Sequence, residues 1–253
     1  MEVRWKNQRL SIGRFVRALC VLYLGSAGNK FVFDAQICRL LEAWRIYMEK
    51  YKKLTVSFIK RQYYPHLLLM LILVAFSGGF VSFKELENFQ AAKVMEMYAA
   101  FAGILLFTPL FMPEQDKEIR DLVSSKSTPM WKVYLLRVLL ALVICTLVIL
   151  LFVCLMKRGG GDFDTTALFR GACCEIFFLG SIGFFVSAVT NQAVIGYMAA
   201  IIYFAVNIGG GKYLEKFALF QMMKGEYGTW MYWLLGAAAL FCAGIWIRGQ
   251  SRF

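Results

Sequence analysis

Long apolar runs are the feature of this sequence that most limits how the chain can fold. Six of them occur, at residues 66–83, 94–112, 131–156, 172–189, 193–208 and 230–247. A bilayer core about 30 Å thick takes roughly 20 helical residues to cross, and every run except the fifth comes close to that length. Hydrophobic residues make up 60% of the chain, more than a water-soluble core of this size would bury. The sequence therefore predicts an all-α membrane protein with about six transmembrane helices.

The distribution of basic residues predicts the orientation of these helices. The chain has 28 Lys and Arg against 16 Asp and Glu, a net charge of +12. With six spans, twenty of the 28 basic residues fall on the side of the amino terminus. Cytoplasmic loops are enriched in Lys and Arg, so both termini are predicted to be cytoplasmic. Arg137, inside the third run, is expected to reach the inner interface with its long side chain. The basic surplus carries no nucleic-acid-binding motif, so nucleic acid is not an expected partner.

The region before the first run differs in character from the rest. Residues 1–64 are predicted to form a cytoplasmic region and residues 65–253 the transmembrane domain. Apolar side chains recur every three or four residues from Ile37 to Phe58, with basic residues largely between them. This pattern is typical of an N-terminal amphipathic helix that lies in the membrane interface, against lipid. A helix packed on a soluble partner is the alternative.

Two local features bear on how this region joins the membrane. Pro65 disfavours helical geometry at Tyr64, which predicts that the chain turns at that point from the surface into the membrane. A weaker apolar stretch at residues 15–24 is either a second interfacial segment or a seventh span. If it spans, the orientation derived from basic residues changes.

A short acidic segment lies between the second and third runs. Pro113 opens it, and acidic residues occupy its first turns, where a helix dipole favours negative charge. Three apolar residues follow among the charges. They are too few to form a core within a loop, so a groove on a partner protein is their expected destination. The acidic members are Glu114, Asp116 and Glu118, and the apolar members are Ile119, Leu122 and Val123. A solvated loop helix is the alternative.

The order of these parts resembles the permease subunits of ABC-2 type transporters. It consists of an interfacial helix, two spans, an acidic cytoplasmic helix followed by Thr128-Pro129, and four further spans. In that family the segment after the second span docks into the ATPase as a coupling helix, and a short loop between spans four and five makes a second contact. The resemblance therefore assigns ATPase coupling to the six residues just named and to Asn191. It also implies a bacterial inner-membrane location and a short amphipathic helix in the outer loop at 212–228.

The resemblance further implies an ATP-driven exporter built from several chains. No GxxxxGK[ST] phosphate-binding loop occurs in this sequence, so ATP and Mg are expected on a separate ATPase subunit and no cofactor on this chain. A second permease chain, identical or related, would complete a symmetric assembly. The exported molecule would be a peptide, a lipid or another amphiphile, and the sequence leaves that choice open.

Polar residues within the apolar runs are candidates for a substrate path. Glu175 lies just inside the outer end of the fourth run, where it either faces a cavity or a partner, or reaches the interface. Tyr203 and Asn207 share a stripe of the fifth run with Gly196 and Ala200. The stripe could line a substrate path, but close helix packing through small residues is favoured.

Catalytic and metal chemistry are not expected from this chain. The seven cysteines form no CxxC pair, and His66 is the only histidine. Metal ligands and an imidazole base are therefore scarce, and the sequence predicts no enzyme, no catalytic residue and no metal site. The alternatives in function are a secondary carrier, or an immunity or sensor protein without an ATPase; an intramembrane enzyme is favoured least. Ionisable residues deep in the bundle and repeated halves, which are typical of carriers, are not evident.

Overall fold

The computed structural model describes residues 49, 55–56, 58–80, 83–115, 130–214 and 218–250. The chain divides into two compact units, 1–57 and 58–253. Most of the first unit lies outside the described residues, and nearly all of the expected interfacial helix lies there too. That helix and the expected domain boundary at residue 64 therefore stay predictions.

Six helices account for most of the described residues of the second unit, which contain no β-strand. In chain order they are α1 (Tyr64–Phe80), α2 (Asn88–Gln115), α3 (Met130–Arg158), α4 (Thr165–Thr190), α5 (Ala193–Leu214) and α6 (Trp230–Gln250). Each overlaps one of the apolar runs. A single turn of 3-10 helix, Met222–Lys224, lies between α5 and α6.

Four of these helices, α2, α3, α4 and α6, are long and apolar enough to cross a membrane. The apolar parts of α1 and α5, Tyr64–Ser77 and Ala193–Gly209, are shorter. Large apolar side chains such as Leu71, Val143 and Ile202 are exposed on the outside of the bundle, as a lipid-facing surface requires. The chain is therefore a helical, membrane-embedded protein, whereas the number of six spans stays a prediction.

The start of α1 differs from the expectation based on Pro65. Tyr64 has helical dihedral angles (φ −53°, ψ −49°), and its N–H donates to the carbonyl of Ile59 across the π-turn Ile59–Tyr63. A π-turn is wider than an α-turn, so it leaves room for the proline ring that follows. The chain therefore runs as a continuous helix through Tyr64, and the predicted turn at this residue is wrong.

The helix α2 is not uniform along its length. It is α-helical at Asn88–Val94 and Ala100–Phe107, with a π-turn at Met95–Ala99 between them and a 3-10 helix at Thr108–Gln115. Pro109 and Pro113 account for the 3-10 end, because neither residue has the N–H that an α-helix needs. The helix thus continues through Pro113, where the sequence suggested that a separate segment opens.

The helix α4 lies against α2, α5 and α6, and glycines allow the close approach. A Cβ atom on Gly180 would lie 2.8 Å from the carbonyl oxygen of Gly103, and one on Gly196 would lie 2.5 Å from that of Gly183. Both distances are shorter than van der Waals contact, so the backbones meet where side chains are absent. The packing interpretation of Gly196 is therefore confirmed.

Asp164 fixes the start of α4. Its Oδ1 accepts hydrogen bonds from the N–H groups of Thr166 and Ala167 at 3.0 and 3.3 Å and from the Thr166 hydroxyl at 2.8 Å. These bonds, with the Thr166 hydroxyl contributing most, lower the pKa of the Asp164 carboxyl group.

Because α4 begins at Thr165, Glu175 lies farther into the helix than the sequence suggested. It is ten residues from the start of the helix, about 15 Å along the axis at roughly 1.5 Å per residue. Glu175 is therefore farther from the end of the helix than the apolar run suggested, and its depth in a membrane stays a prediction. The run that begins at residue 172 omitted the polar first two turns of the helix, including Arg170, which a hydropathy pattern excludes.

Candidate functional site

Four charged or polar side chains meet at one end of the bundle, and we call them the charge cluster. Glu114 comes from the 3-10 end of α2 and Arg137 from the first half of α3. Asn191 ends α4, and Arg248 lies in the last turn of α6. Glu114 and Asn191 are two of the expected ATPase-coupling residues, whereas neither arginine was assigned a coupling role.

Glu114 and Arg137 form a buried ion pair. Glu114 is 0% exposed and Arg137 is 9% exposed, and Arg137 Nη1 lies 2.8 Å from Glu114 Oε1. The same Nη1 donates to the carbonyl of Leu110 at 3.1 Å. This carbonyl can accept from Arg137 because Pro113, three residues later, has no N–H to offer it. Arg137 therefore points inward to an anion and a carbonyl, and the expectation that it reaches the interface is wrong.

Arg248 bonds to both of the segments where ATPase contacts were expected. Its Nη2 donates to Oδ1 of Asn191 and, at 3.4 Å, to the backbone carbonyl of Glu114. Asn191 has a left-handed conformation (φ 57°), which asparagine adopts more readily than most residues. The Arg248 guanidinium carbon lies 5.8 Å from the ring centre of Phe111. A single side chain thus joins the ends of α2 and α4 to α6.

The charges in the cluster restrict how the helix ends can be arranged. Among the described residues, the cluster contains two guanidinium groups and one carboxylate. Removing one partner from a buried ion pair costs about 3–5 kcal/mol, because the other charge is left without compensation. The cluster therefore constrains how the ends of α2, α3, α4 and α6 lie relative to one another.

The remaining expected coupling residues follow Glu114 directly in the chain. They are Asp116, Glu118, Ile119, Leu122 and Val123, and all five lie outside the described residues. Their role in binding an ATPase stays a prediction. Gln115, which directly precedes them, is the last described residue of α2.

The three substrate-path candidates lie away from the charge cluster. Asn207 is buried; its Nδ2 donates to the carbonyl of Tyr203 at 2.8 Å, and its Oδ1 accepts from the N–H of Leu219 at 2.7 Å. Tyr203 is half-buried, and its ring centre is 6.1 Å from that of Phe178. Asn207 thus anchors the loop before α6, and a role for either residue in a substrate path stays a prediction.

Glu175, the third candidate, has a second carboxylate as its neighbour. Glu175 is 5% exposed and Glu96, in the π-turn of α2, is 2% exposed. The two groups are close enough for their charges to interact. We call Glu96 and Glu175 the distal carboxylates. Glu96 lies in the first half of α2 and Glu114 at its 3-10 end, about 27 Å apart along a helix with a rise of roughly 1.5 Å per residue.

Sequence reasoning missed Glu96, although a signal for it was present. The residue lies inside the second apolar run, and a carboxylate within a membrane run indicates a functional or structural contact. Its place in a π-turn is a second indication, because such turns often occur at functional sites. Its pairing with Glu175 could not be read from the sequence, since it depends on which faces of α2 and α4 meet.

Among the residues that the structure describes, no group of three or more His, Cys, Asp and Glu side chains is arranged to hold a metal ion. No protein-family model, curated protein or solved structure matches this chain.

Proposed function

We propose that this chain is the transmembrane permease subunit of an ATP-driven exporter of the ABC-2 type. It would reside in the bacterial inner membrane with both termini in the cytoplasm. A separate ATPase would supply ATP hydrolysis, and a second permease chain would complete the transport path. This chain itself would be no enzyme.

The observation that carries the proposal is the charge cluster. The resemblance assigned ATPase contacts to two distant points of the sequence, near Glu114 and at Asn191. Arg248 bonds to both points, through the Glu114 carbonyl and the Asn191 side chain. A bundle that receives force at two cytoplasmic contacts needs such a connection, because otherwise the two contacts could move independently.

The cluster suggests how movement at the cytoplasmic face would reach the helices. When the ATPase subunits close, the segment after Gln115 would be displaced together with the end of α2. Glu114 would then pull on Arg137 of α3 through the ion pair, and Arg248 would carry the displacement to α6. Packed helices respond to such shifts as rigid bodies, so the bundle would rock as a unit.

The chemistry of the bundle favours an amphiphilic cargo. Aromatic residues make up 16% of the chain and hydrophobic residues 60%. A transport path built from such residues would suit peptides, lipids or other amphiphiles better than small hydrophilic solutes.

Co-purification tests the proposal. The tagged chain, extracted from its native membrane, should bring a P-loop ATPase with it. The double variant Ile119→Asp/Leu122→Asp should lose the ATPase, because it places charge on the expected docking patch. The control Ser124→Asp/Ser127→Asp adds the same charge to the same segment but spares the patch, and it should retain the ATPase. Equal ATPase recovery with both double variants, or none with the unaltered chain, would refute the proposal.

The distal carboxylates favour a second candidate, a secondary carrier. Deep ionisable residues are typical of carriers, and Glu175, which appeared alone in the sequence, has Glu96 beside it. A carrier would move its substrate in liposomes that contain this chain and an ion gradient but no ATPase. Transport of that kind, abolished by Glu175→Gln, would select the carrier over the exporter.

A further inference from the structure

The chain between α5 and α6 forms a small cover at the end of the bundle that holds Glu96 and Asn207. Its described part, residues 218–229, contains the single 3-10 turn Met222–Lys224 and is otherwise irregular. Four of its side chains, Ala218, Leu219, Gln221 and Met222, are buried. We call residues 218–229 the distal cover.

The distal cover is tied to the helices by side chains that accept hydrogen bonds from its backbone. Glu96 Oε1 accepts from the N–H groups of Met222 and Met223 at 2.7 and 3.3 Å. Asn207 Oδ1 accepts from the N–H of Leu219 at 2.7 Å. Glu96 accepts two of these three hydrogen bonds and is therefore the principal anchor.

Within itself the cover is a connected unit. The N–H of Gly225 donates to the carbonyl of Met222 at 3.0 Å, and that of Glu226 donates to the carbonyl of Gln221 at 3.1 Å. The side chains of Thr229 and Gln221 are also hydrogen-bonded. Gly225 has a positive φ of 80°, which glycine adopts without strain. The cover can therefore move as one body if its anchors to the helices break.

The cover contacts α4 at Gly171, one helical turn before the distal carboxylate Glu175. A Cβ atom on Gly171 would come within 2.6 Å of the Met222 sulfur, so Met222 rests on the backbone of α4. Leu219 belongs to the same apolar cluster as Cys174, the residue before Glu175. Lifting the cover would thus uncover this section of α4.

Burial of Glu96 raises the free energy of the closed position. Glu96 Oε2 is buried and has no hydrogen-bond partner among the described residues, and a second buried carboxylate lies nearby. Burying a polar oxygen without a hydrogen-bond partner opposes the closed state. The hydrogen bonds of the anchors favour the closed position, whereas this burial opposes it. The difference in free energy between the closed and open positions is therefore smaller than the anchors alone would give.

We propose that the distal cover is a movable lid, latched by Glu96 and Asn207, whose opening exposes the Cys174–Glu175 section of α4 to water. This proposal does not depend on whether the chain works with an ATPase or as a carrier. Either kind of transporter needs a barrier at this end of the bundle that opens during the cycle.

The reactivity of two natural cysteines can test whether the lid opens. Two versions of the full chain would be made, each retaining one cysteine, Cys174 or Cys145, with the other six replaced by alanine. Both residues are buried, but Cys145 lies in α3 and is not part of the cluster that contains Leu219. The measurement is the rate of modification by a cationic, membrane-impermeant methanethiosulfonate. Reaction at Cys145 reports general unfolding, whereas reaction at Cys174 alone reports lid opening.

Glu96→Ala should accelerate modification of Cys174 by at least about tenfold, since it removes both hydrogen bonds that Glu96 accepts from the cover. Cys145 should stay protected. The matched control, Glu226→Ala, removes an exposed carboxylate from the cover itself and should leave both rates unchanged.

A second variant opens the lid without altering Glu96. Gly171→Leu should displace Met222 and accelerate modification of Cys174, whereas Gly209→Leu, at a position with open space around its Cα, should not. The proposal is overturned if Cys174 stays protected in both Glu96→Ala and Gly171→Leu, or if Cys145 becomes reactive in step with Cys174.

Discussion

A carboxylate that is completely buried, such as that of Glu114, must be compensated from within the protein. Arg137 provides that compensation at 2.8 Å, and Arg248 contributes a second positive charge nearby. The three residues therefore do not respond equally to substitution. Loss of Glu114 leaves two buried cations without a carboxylate in the cluster, whereas loss of Arg137 leaves Glu114 with Arg248 bonded to its backbone carbonyl.

A double-mutant cycle makes this difference measurable. We expect Glu114→Met to lower the free energy of unfolding by about 3–5 kcal/mol and Arg137→Met to lower it by less. The double variant Glu114→Met/Arg137→Met should cost less than the sum of the two, because it removes the uncompensated charge along with its partner. Chemical unfolding in detergent micelles provides the measurement. Additive effects would show that the two side chains do not interact.

The N-cap Asp164 should make the stability of the protein depend on pH. The pKa of its carboxyl group is lowered in the folded protein by the hydrogen bonds from Thr166 and Ala167. The ionised cap therefore stabilises the fold at neutral pH, and that contribution is lost as the pH falls through the folded-state pKa, below the ordinary value of about 3.9. The melting temperature of the unaltered chain should thus fall more steeply below pH 4 than that of Asp164→Asn, which keeps a capping side chain without the titration. Parallel curves would contradict the assigned cap.

At the scale of helices, glycine contacts set how closely α4 and α5 approach. Gly196→Ala should destabilise the protein by about 1–3 kcal/mol, since its Cβ would lie 2.5 Å from the Gly183 carbonyl oxygen. Gly209→Ala, in the same helix, has nothing within 4 Å of the new Cβ and should be neutral or slightly stabilising, because alanine favours helix. Thermal unfolding of the two variants checks the prediction. Equal melting temperatures would contradict the close packing of α4 on α5.

The positions of the helices could be predicted from the sequence, whereas their ends could not. Every apolar run lies within or overlaps a helix, since hydrophobic length is a local property. The ends depended on residues that hydropathy excludes. Arg170 belongs to the first turns of α4, and Asp164 is its N-cap. The helix through Pro65 was missed because a preceding π-turn, which no simple sequence pattern predicts, accommodates the ring.

At the scale of the whole molecule, two polar groups of residues lie near opposite ends of an otherwise apolar bundle. The charge cluster joins the ends of α2, α3, α4 and α6, and the distal carboxylates lie under the cover before α6. The helix α2 runs between them, since it carries both Glu96 and Glu114. A displacement of this helix along its axis would therefore affect both groups at once.

Only part of the candidate site could be predicted from the sequence, because its contacts depend on the arrangement of the whole molecule. The sequence singled out Glu114 and Asn191 separately, by their positions between spans. It could not predict that Arg248, at the other end of the chain, bonds to both, because that contact depends on the order of helices around the bundle. Contacts between buried polar residues from distant parts of the sequence can be identified only from the folded structure.

The proposed function depends on the segment after Gln115, which should lie in the cytoplasm and be held by a nucleotide-hydrolysing partner. The most direct test places a cysteine at Leu122 and measures its modification by an impermeant thiol reagent, with the rate of the unaltered chain subtracted. In intact cells Leu122→Cys should not react. In inverted membrane vesicles it should react, at a rate that changes when ATP and vanadate trap the ATPase. Reaction from the outside of intact cells, or the same reaction rate in vesicles with and without ATP and vanadate, would contradict this placement.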